Sequence, residues 1–145
     1  MENTILIGNN MYKEELLKVL KNYQVKENNN IIEIINNNGK NMTITIAGEM
    51  IVEFDEWHSH YELTDYDDLE IALEEIKNIL ENKQTIISIY VNNISFATGT
   101  TLNKEKYTKE DVTDFLKTFL KHYQIPGNMK VMIKYWDSSK DYELE

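Results

Sequence analysis

Cysteine and arginine are absent from this sequence of 145 residues. Without cysteine, disulfide bridges, thiolate metal ligands and thiol nucleophiles are excluded. Without arginine, the forked side chain that proteins most often use to bind phosphate and guanine is missing. Any chemistry therefore has to come from lysine, histidine, carboxylate, amide and hydroxyl groups.

Proline and glycine are scarce, with one proline and five glycines. The chain contains no phosphate-binding glycine loop, dinucleotide-binding fingerprint, nucleophile elbow or His-Glu-x-x-His motif. It also has no apolar run close to the about 20 residues of a membrane span, and its start lacks the pattern of a secretory signal. These absences predict a cytoplasmic protein without membrane segment or cofactor, and they make an enzyme the less favoured interpretation.

The net charge is strongly negative, at -10 from 25 acidic and 15 basic residues. A protein of this charge would repel nucleic acids, because their phosphates are also negative and proteins bind them largely through basic side chains. We therefore expect no nucleic-acid partner. A basic protein surface would instead be attracted. Acidity also serves solubility, and the abundance of asparagine and lysine is typical of an AT-rich coding sequence.

Hydrophobic periodicity predicts a single α+β domain over residues 1–145, with elements in the order α-β-β-β-α-β-β-α-β and a largely antiparallel sheet. The expected strands are residues 31–35, 42–46, 50–55, 85–91, 94–100 and 131–136. The expected helices are residues 11–23 with Asn9 or Asn10 as N-cap, a segment that begins after Thr64 or Asp65 and ends at Asn82, and a segment from Thr108 to Pro126-Gly127. The polar residues 137–145 are expected to fray.

Strand alternation is clearest where Met42, Ile44 and Ile46 alternate with Thr43 and Thr45. Since successive side chains of a strand point to opposite faces, this pattern predicts one buried face and one polar face.

Two local signals predict a turn and a helix start. Asn92-Asn93 separates two strand-like runs, and asparagine tolerates the positive φ that a tight hairpin requires. Thr108 stands three residues before Asp111, which is the spacing of a capping box. We therefore expect a hairpin at the first signal and a helix N-terminus at the second.

One segment is unusual, Asp55-Glu56-Trp57-His58-Ser59-His60-Tyr61-Glu62, because it holds two of the three histidines. If the strand from Met50 continues through it, the histidines point to the same face and can be presented to a metal ion. A third ligand would have to come from Glu56, Glu62, Asp65 or the distant His122. Since no spacing specifies that ligand, we favour a structural role for the pair over a metal site.

His58 and His60 are also the catalytic candidates, because imidazole is a common general base when a carboxylate orients it. The alternative is that Trp57 and Tyr61 anchor the end of the sheet while the histidines lie at the surface. Tyrosine and tryptophan are favoured at protein interfaces. The candidate binding residues are therefore the acidic and aromatic ones of this region: Asp55, Glu56, Trp57, Tyr61, Glu62, Asp65 and Tyr66.

The element Trp57-His58-Ser59-His60-Tyr61 follows Val52-Glu53-Phe54 and is itself followed by an acidic helix start and a strand over residues 85–91. This arrangement resembles a group of small uncharacterised bacterial proteins with a Trp-His-x-His-Tyr/Phe element after a short strand. The resemblance covers the middle third of the chain. Small acidic α+β proteins of this kind also resemble the immunity proteins that neutralise bacterial polymorphic toxins. That resemblance implies an acidic surface that covers the basic active site of a toxin.

Three functions remain open at this point. A protein-binding module, in its most concrete form an immunity-type protein, predicts a carboxylate-rich face flanked by tyrosine or tryptophan. A metal-assisted or histidine-dependent enzyme predicts a concave pocket at His58 and His60. A self-associating structural protein predicts a homodimer formed by an exposed strand edge or by the aromatic end of the chain. We favour the binding module.

Overall fold

Helices and antiparallel sheets make up the part of the chain that the computed structural model describes, residues 2–63, 66–102, 108, 110–112 and 128–144. This confirms the predicted α+β class. The chain divides into two compact units, Met1–Leu80 and Glu81–Glu145, and each contains its own sheet. The sequence marks no boundary there, and the assignment of residues 1–145 to one domain stays a prediction. Within the described residues, no helix combines the length and the apolar character needed to cross a membrane.

The first unit contains two helices and a five-stranded sheet. Its elements are α1 (Glu2–Val19), β1 (Val25–Asn28), β2 (Ile31–Ile34), β3 (Met42–Ile46), β4 (Glu49–Phe54), β5 (Trp57–Glu62) and α2 (Tyr66–Leu80). The strands form a meander in the order β1-β2-β3-β4-β5, and each neighbouring pair is antiparallel. Short connections favour this order, because antiparallel neighbours can be joined by a few turn residues.

One face of the five-stranded sheet is buried. Met42, Ile44 and Ile46 of β3 are at most 1% exposed, which confirms the alternation predicted for that strand. Leu16 of α1 and Ile76 of α2 are fully buried as well, and α1 contacts β3 while α2 contacts β5. The two helices therefore provide the apolar partner that a half-buried antiparallel sheet requires.

Residues with positive φ form the tight turns of the meander. Asn29 (φ 54°) lies between β1 and β2, Gly48 (φ 78°) between β3 and β4, and Asp55 (φ 55°) between β4 and β5. Glycine adopts this left-handed conformation without a Cβ clash, and asparagine and aspartate tolerate it better than other residues. Each of these three connections thus has a residue suited to it.

Helix α1 spans Glu2–Val19, whereas the sequence predicts residues 11–23. Asn9 and Asn10 therefore lie inside the helix, and their prediction as caps is wrong. Glycine and asparagine cost up to about 1 kcal/mol relative to alanine in a helix. That cost suggests a boundary in the sequence, but it does not end a helix whose neighbouring turns are already hydrogen-bonded.

Two strands of the first unit were not predicted as separate elements. β1 pairs with β2 through a turn at Asn29 and precedes the first strand expected from the sequence. β5 is a new strand, because the turn Asp55-Glu56 reverses the chain after Phe54 and pairs that residue with Trp57. The histidines therefore lie on a separate strand and not on a continuation of the strand from Met50, which was the condition considered from the sequence.

The second unit contains a four-stranded antiparallel sheet. Its elements are β6 (Gln84–Val91), β7 (Ile94–Leu102), β8 (Met129–Lys134), a short 3-10 helix (Ser138–Lys140) and β9 (Tyr142–Glu143). The strand order is β7-β6-β8-β9. Asn92 and Asn93 join β6 to β7 with φ values of 52° and 66°, which confirms the predicted hairpin.

The predicted capping box at Thr108 and the predicted end of α2 at Asn82 are confirmed. The amide of Thr108 donates to the Asp111 carboxylate at 3.2 Å, and the Asp111 amide donates to Thr108 Oγ1 at 3.1 Å. This reciprocal pair is a capping box. Asn82, with φ 61°, follows the last turn of α2 as predicted. Thr64 and the helix end at Pro126-Gly127 lie outside the described residues.

Residues 137–144 do not fray, so that prediction is wrong for the described part of the segment. β9 pairs with β8, and the Leu144 amide donates to the carbonyl of Val131 at 2.9 Å. Leu144 is only 5% exposed and belongs to an apolar cluster that includes Tyr135. One buried leucine and one added strand thus order a segment whose composition is mainly polar.

Candidate functional site

Strands β4 and β5 place the candidate histidines on the sheet face opposite the buried one. The register pairs on this face are Glu53 with His58, Ile51 with His60, and Glu49 with Glu62. Because side chains alternate along each strand, these six residues point to the same side. We call them the β4–β5 outer face.

The prediction that His58 and His60 share a face is confirmed. Their ring centroids are 5.6 Å apart, and the ring planes make an angle of 76°. His60 Nδ1 lies 3.4 Å from a carboxylate oxygen of Glu49, and the side chain of His60 is 53% exposed. Both imidazoles therefore lie beside glutamates at the protein surface rather than in the core.

An open depression of about 400 Å³ adjoins the two histidines. Its lining residues are Ile51, Glu53, Asp55, Glu56, Trp57, His58 and His60. It lies where the enzyme hypothesis predicts a pocket, but ligand-binding pockets that enclose a small molecule are largely apolar and bury most of its surface. This depression is open and is lined by glutamate, aspartate and histidine as well as by Ile51 and Trp57.

The described residues contain no group of three or more histidine, aspartate or glutamate side chains arranged to hold a metal ion. Two of the third ligands considered from the sequence, Asp65 and His122, lie outside those residues. The histidine pair therefore supplies two imidazoles on one strand, and the preference for a structural role over a metal site stays a prediction.

The aromatic candidates Trp57 and Tyr61 lie on the opposite face of β5 from the histidines. Trp57 pairs with Phe54 across the hairpin and is 6% exposed. The Tyr61 hydroxyl donates a hydrogen bond to the Glu75 carboxylate of α2. Burial, together with this bond to Glu75, raises the pKa of Tyr61 well above its ordinary value. This arrangement agrees with the alternative interpretation of the sequence, in which Trp57 and Tyr61 anchor the end of the sheet while the histidines lie at the surface.

The acidic candidates differ in how much they are exposed. Asp55, Glu56 and Glu62 are all exposed as whole residues, but the side chain of Asp55 is only 11% exposed and lies 3.4 Å from Lys40 Nζ. Tyr66 is the first residue of α2, and Asp65 lies outside the described residues. Glu56 and Glu62 are thus the acidic candidates that a partner can reach directly.

Sequence reasoning missed the contribution of β4. Glu49, Ile51 and Glu53 belong to the outer face, but the candidate site residues predicted from the sequence all follow Phe54. A signal was available, because Met50, Val52 and Phe54 alternate with these residues. Recognising Asp55-Glu56 as a turn would have placed Glu53 opposite His58.

No family model, no curated protein and no solved structure matches this chain. The fold and the site together define a class, an α+β protein with an acidic, histidine-bearing sheet face. The resemblance of residues 57–61 to small bacterial proteins, and of the whole to immunity proteins, stays a prediction.

Proposed function

We propose that this chain is a small protein-binding module, and that its contact surface is the β4–β5 outer face extended by Glu56 of the adjoining turn. The observation that supports this is the concentration of carboxylates around an open depression. Glu53, Glu56 and Glu62 are exposed, and the side chain of Glu49 is 41% exposed. The complement of such a surface is a basic protein.

The charge and the rigidity of this surface both favour a basic partner. Glu49, Glu53 and Glu62 project from hydrogen-bonded strands, so little ordering of the backbone is required there when a partner binds. Complementary charge accelerates the encounter and selects against acidic partners. Ile51 and the two histidine rings occupy the centre between the glutamates and provide surface that can be buried without leaving a carboxylate unpaired.

The most concrete form of this function is an immunity-type protein that neutralises a bacterial toxin in the cytoplasm. In that role the outer face covers a basic active site and excludes its substrate. The general resemblance of small acidic α+β proteins to immunity proteins supports this form, and the acidic face supplies the surface that it requires.

Charge reversal on the outer face tests the proposal. The test variant is Glu53→Lys/Glu56→Lys/Glu62→Lys. The control variant is Glu14→Lys/Glu70→Lys/Glu74→Lys, which changes three exposed glutamates of the two helices and has the same net charge. The partner is captured from the native host with the unmodified protein, and its affinity for all three proteins is measured at low and high salt.

We expect the test variant to lose about 100-fold or more in affinity, since close charge pairs at interfaces are worth about 1.5 kcal/mol or more each. The control variant should lose only the small share that comes from net charge. Equal losses in both variants would show that the outer face is not the contact surface. For the immunity-type form, co-expression should protect cells from the captured toxin, and the test variant should fail to protect them.

A further inference from the structure

Strand β7 differs from the other three strands that end the two described sheets. End strands can pair with another chain, and the devices that proteins use against such pairing include charged side chains, proline and bulges. β1 has Lys26 and Glu27, β5 has Glu62, and β9 has Glu143. β7 has the sequence ISFATGTTL, with neither charge nor proline, and at nine residues it is the longest strand described.

The first residues of β7 expose large apolar side chains. Ile94 is 72% exposed and Phe96 is 42% exposed. The register with β6 runs from Ser95 directly to Ala97, so that Phe96 forms a bulge. Bulges redirect a side chain out of the regular pleat. An uncharged end strand therefore presents an isoleucine and a phenylalanine to its surroundings.

We propose that β7 forms a homodimer by antiparallel pairing with β7 of a second copy, with Phe96 near the two-fold axis. Two copies with a net charge of -10 repel each other. A strand without charge is a place where they can meet without setting like charges opposite each other. β7 carries no carboxylate that could attract a basic partner.

Two-fold symmetry also suits this strand. In an antiparallel pair of identical strands, every contact between the two copies occurs twice, once from each side of the two-fold axis. Such an interface is therefore self-complementary. The pairing covers Ile94 and Phe96 of both copies and extends the four-stranded sheet described for each chain. It uses the second unit, whereas the proposed protein-binding surface belongs to the first, so the two proposals can fail separately.

Sedimentation velocity of the full chain over about 1–100 µM tests the dimer, since association depends on protomer concentration. The variants are Ile94→Lys and Phe96→Lys. The control is Ile71→Lys, which adds the same charge at an isoleucine of α2 that is 61% exposed. We expect the unmodified chain and the control to dimerise, and each β7 variant to raise the dimer dissociation constant about tenfold or more. A monomer at all concentrations, or equal effects of variants and control, would overturn the proposal.

A cysteine cross-link gives a second test that does not depend on weakening the strand. The chain has no cysteine, so Phe96→Cys introduces a single thiol. Near a two-fold axis this thiol should form a disulfide with its equivalent under mild oxidation. Ile71→Cys is the control and should remain monomeric on a non-reducing gel. Equal cross-linking of both variants, or none at residue 96, would count against the pairing.

Discussion

The phenol of Tyr61 donates a hydrogen bond to the carboxylate of Glu75, and this bond joins the last strand of the first sheet to helix α2. It lies on the buried side of β5, while His58 and His60 point to the other side. The bond therefore fixes the position of β5 without using any side chain of the β4–β5 outer face. Stability and binding can be tested separately on this strand.

Replacing Tyr61 by phenylalanine should reduce the free energy of unfolding by about 1.5–3 kcal/mol, because hydrogen bonds to charged groups contribute that much. Urea denaturation measures the change. Tyr12→Phe is the matched control, since the Tyr12 hydroxyl donates to the neutral carbonyl of Leu63 at 3.1 Å. The control should lose about 0.5–1.5 kcal/mol. An unchanged stability of Tyr61→Phe would mean that the bond to Glu75 contributes nothing.

Tyr61 should also make the protein sensitive to alkaline pH. Its pKa is raised in the folded chain, mainly by burial and then by Glu75. Below the pKa of a free tyrosine, about 10, the phenol is neutral in both states and its stabilising contribution is complete. Above that pH the unfolded chain loses the proton while the folded chain retains it, so stability falls as pH rises. Unfolding free energies from pH 8 to 11 should therefore decline more steeply for the unmodified protein than for Tyr61→Phe, and parallel curves would contradict this assignment.

The β6–β7 hairpin should tolerate glycine but not a β-branched residue at Asn93. This residue has a φ of 66°, and the left-handed conformation costs residues other than glycine and asparagine about 1–2 kcal/mol. Asn93→Val should therefore destabilise the protein by about that amount, whereas Asn93→Gly should leave stability within about 0.5 kcal/mol. Thermal and chemical unfolding of both variants measure the difference. Similar stabilities for valine and glycine would show that the turn relaxes to another conformation.

Purified, tag-free protein should contain no stoichiometric transition metal. Two imidazoles on one strand are fewer ligands than a zinc site requires, and no third ligand joins them among the described residues. Elemental analysis of the unmodified protein and of His58→Ala/His60→Ala measures the metal content directly. Stoichiometric metal that is lost in the variant would restore the metal hypothesis.

The sequence predicts some features of the β4–β5 outer face but not all of them. That His58 and His60 share a face follows from the alternation of any extended strand, so it could be predicted. That Trp57 and Tyr61 point into the core could be proposed only as an alternative, because the sequence does not say which face of β5 the helices cover. The role of Glu49 and Glu53 was missed, since it depends on the register between two strands.

The sequence by itself determined the local features of this protein. The alternation of Met42, Ile44 and Ile46, the Asn92-Asn93 turn and the capping box of Thr108 each depend on residues close together in the chain, so neighbouring side chains and backbone preferences specify them. Only the tertiary structure decided that Glu53 faces His58, that Leu144 is buried and that β7 ends its described sheet. These features depend on which distant segments pair and which face is covered, and the free energy that selects among such arrangements comes from burial and hydrogen bonding across the whole unit.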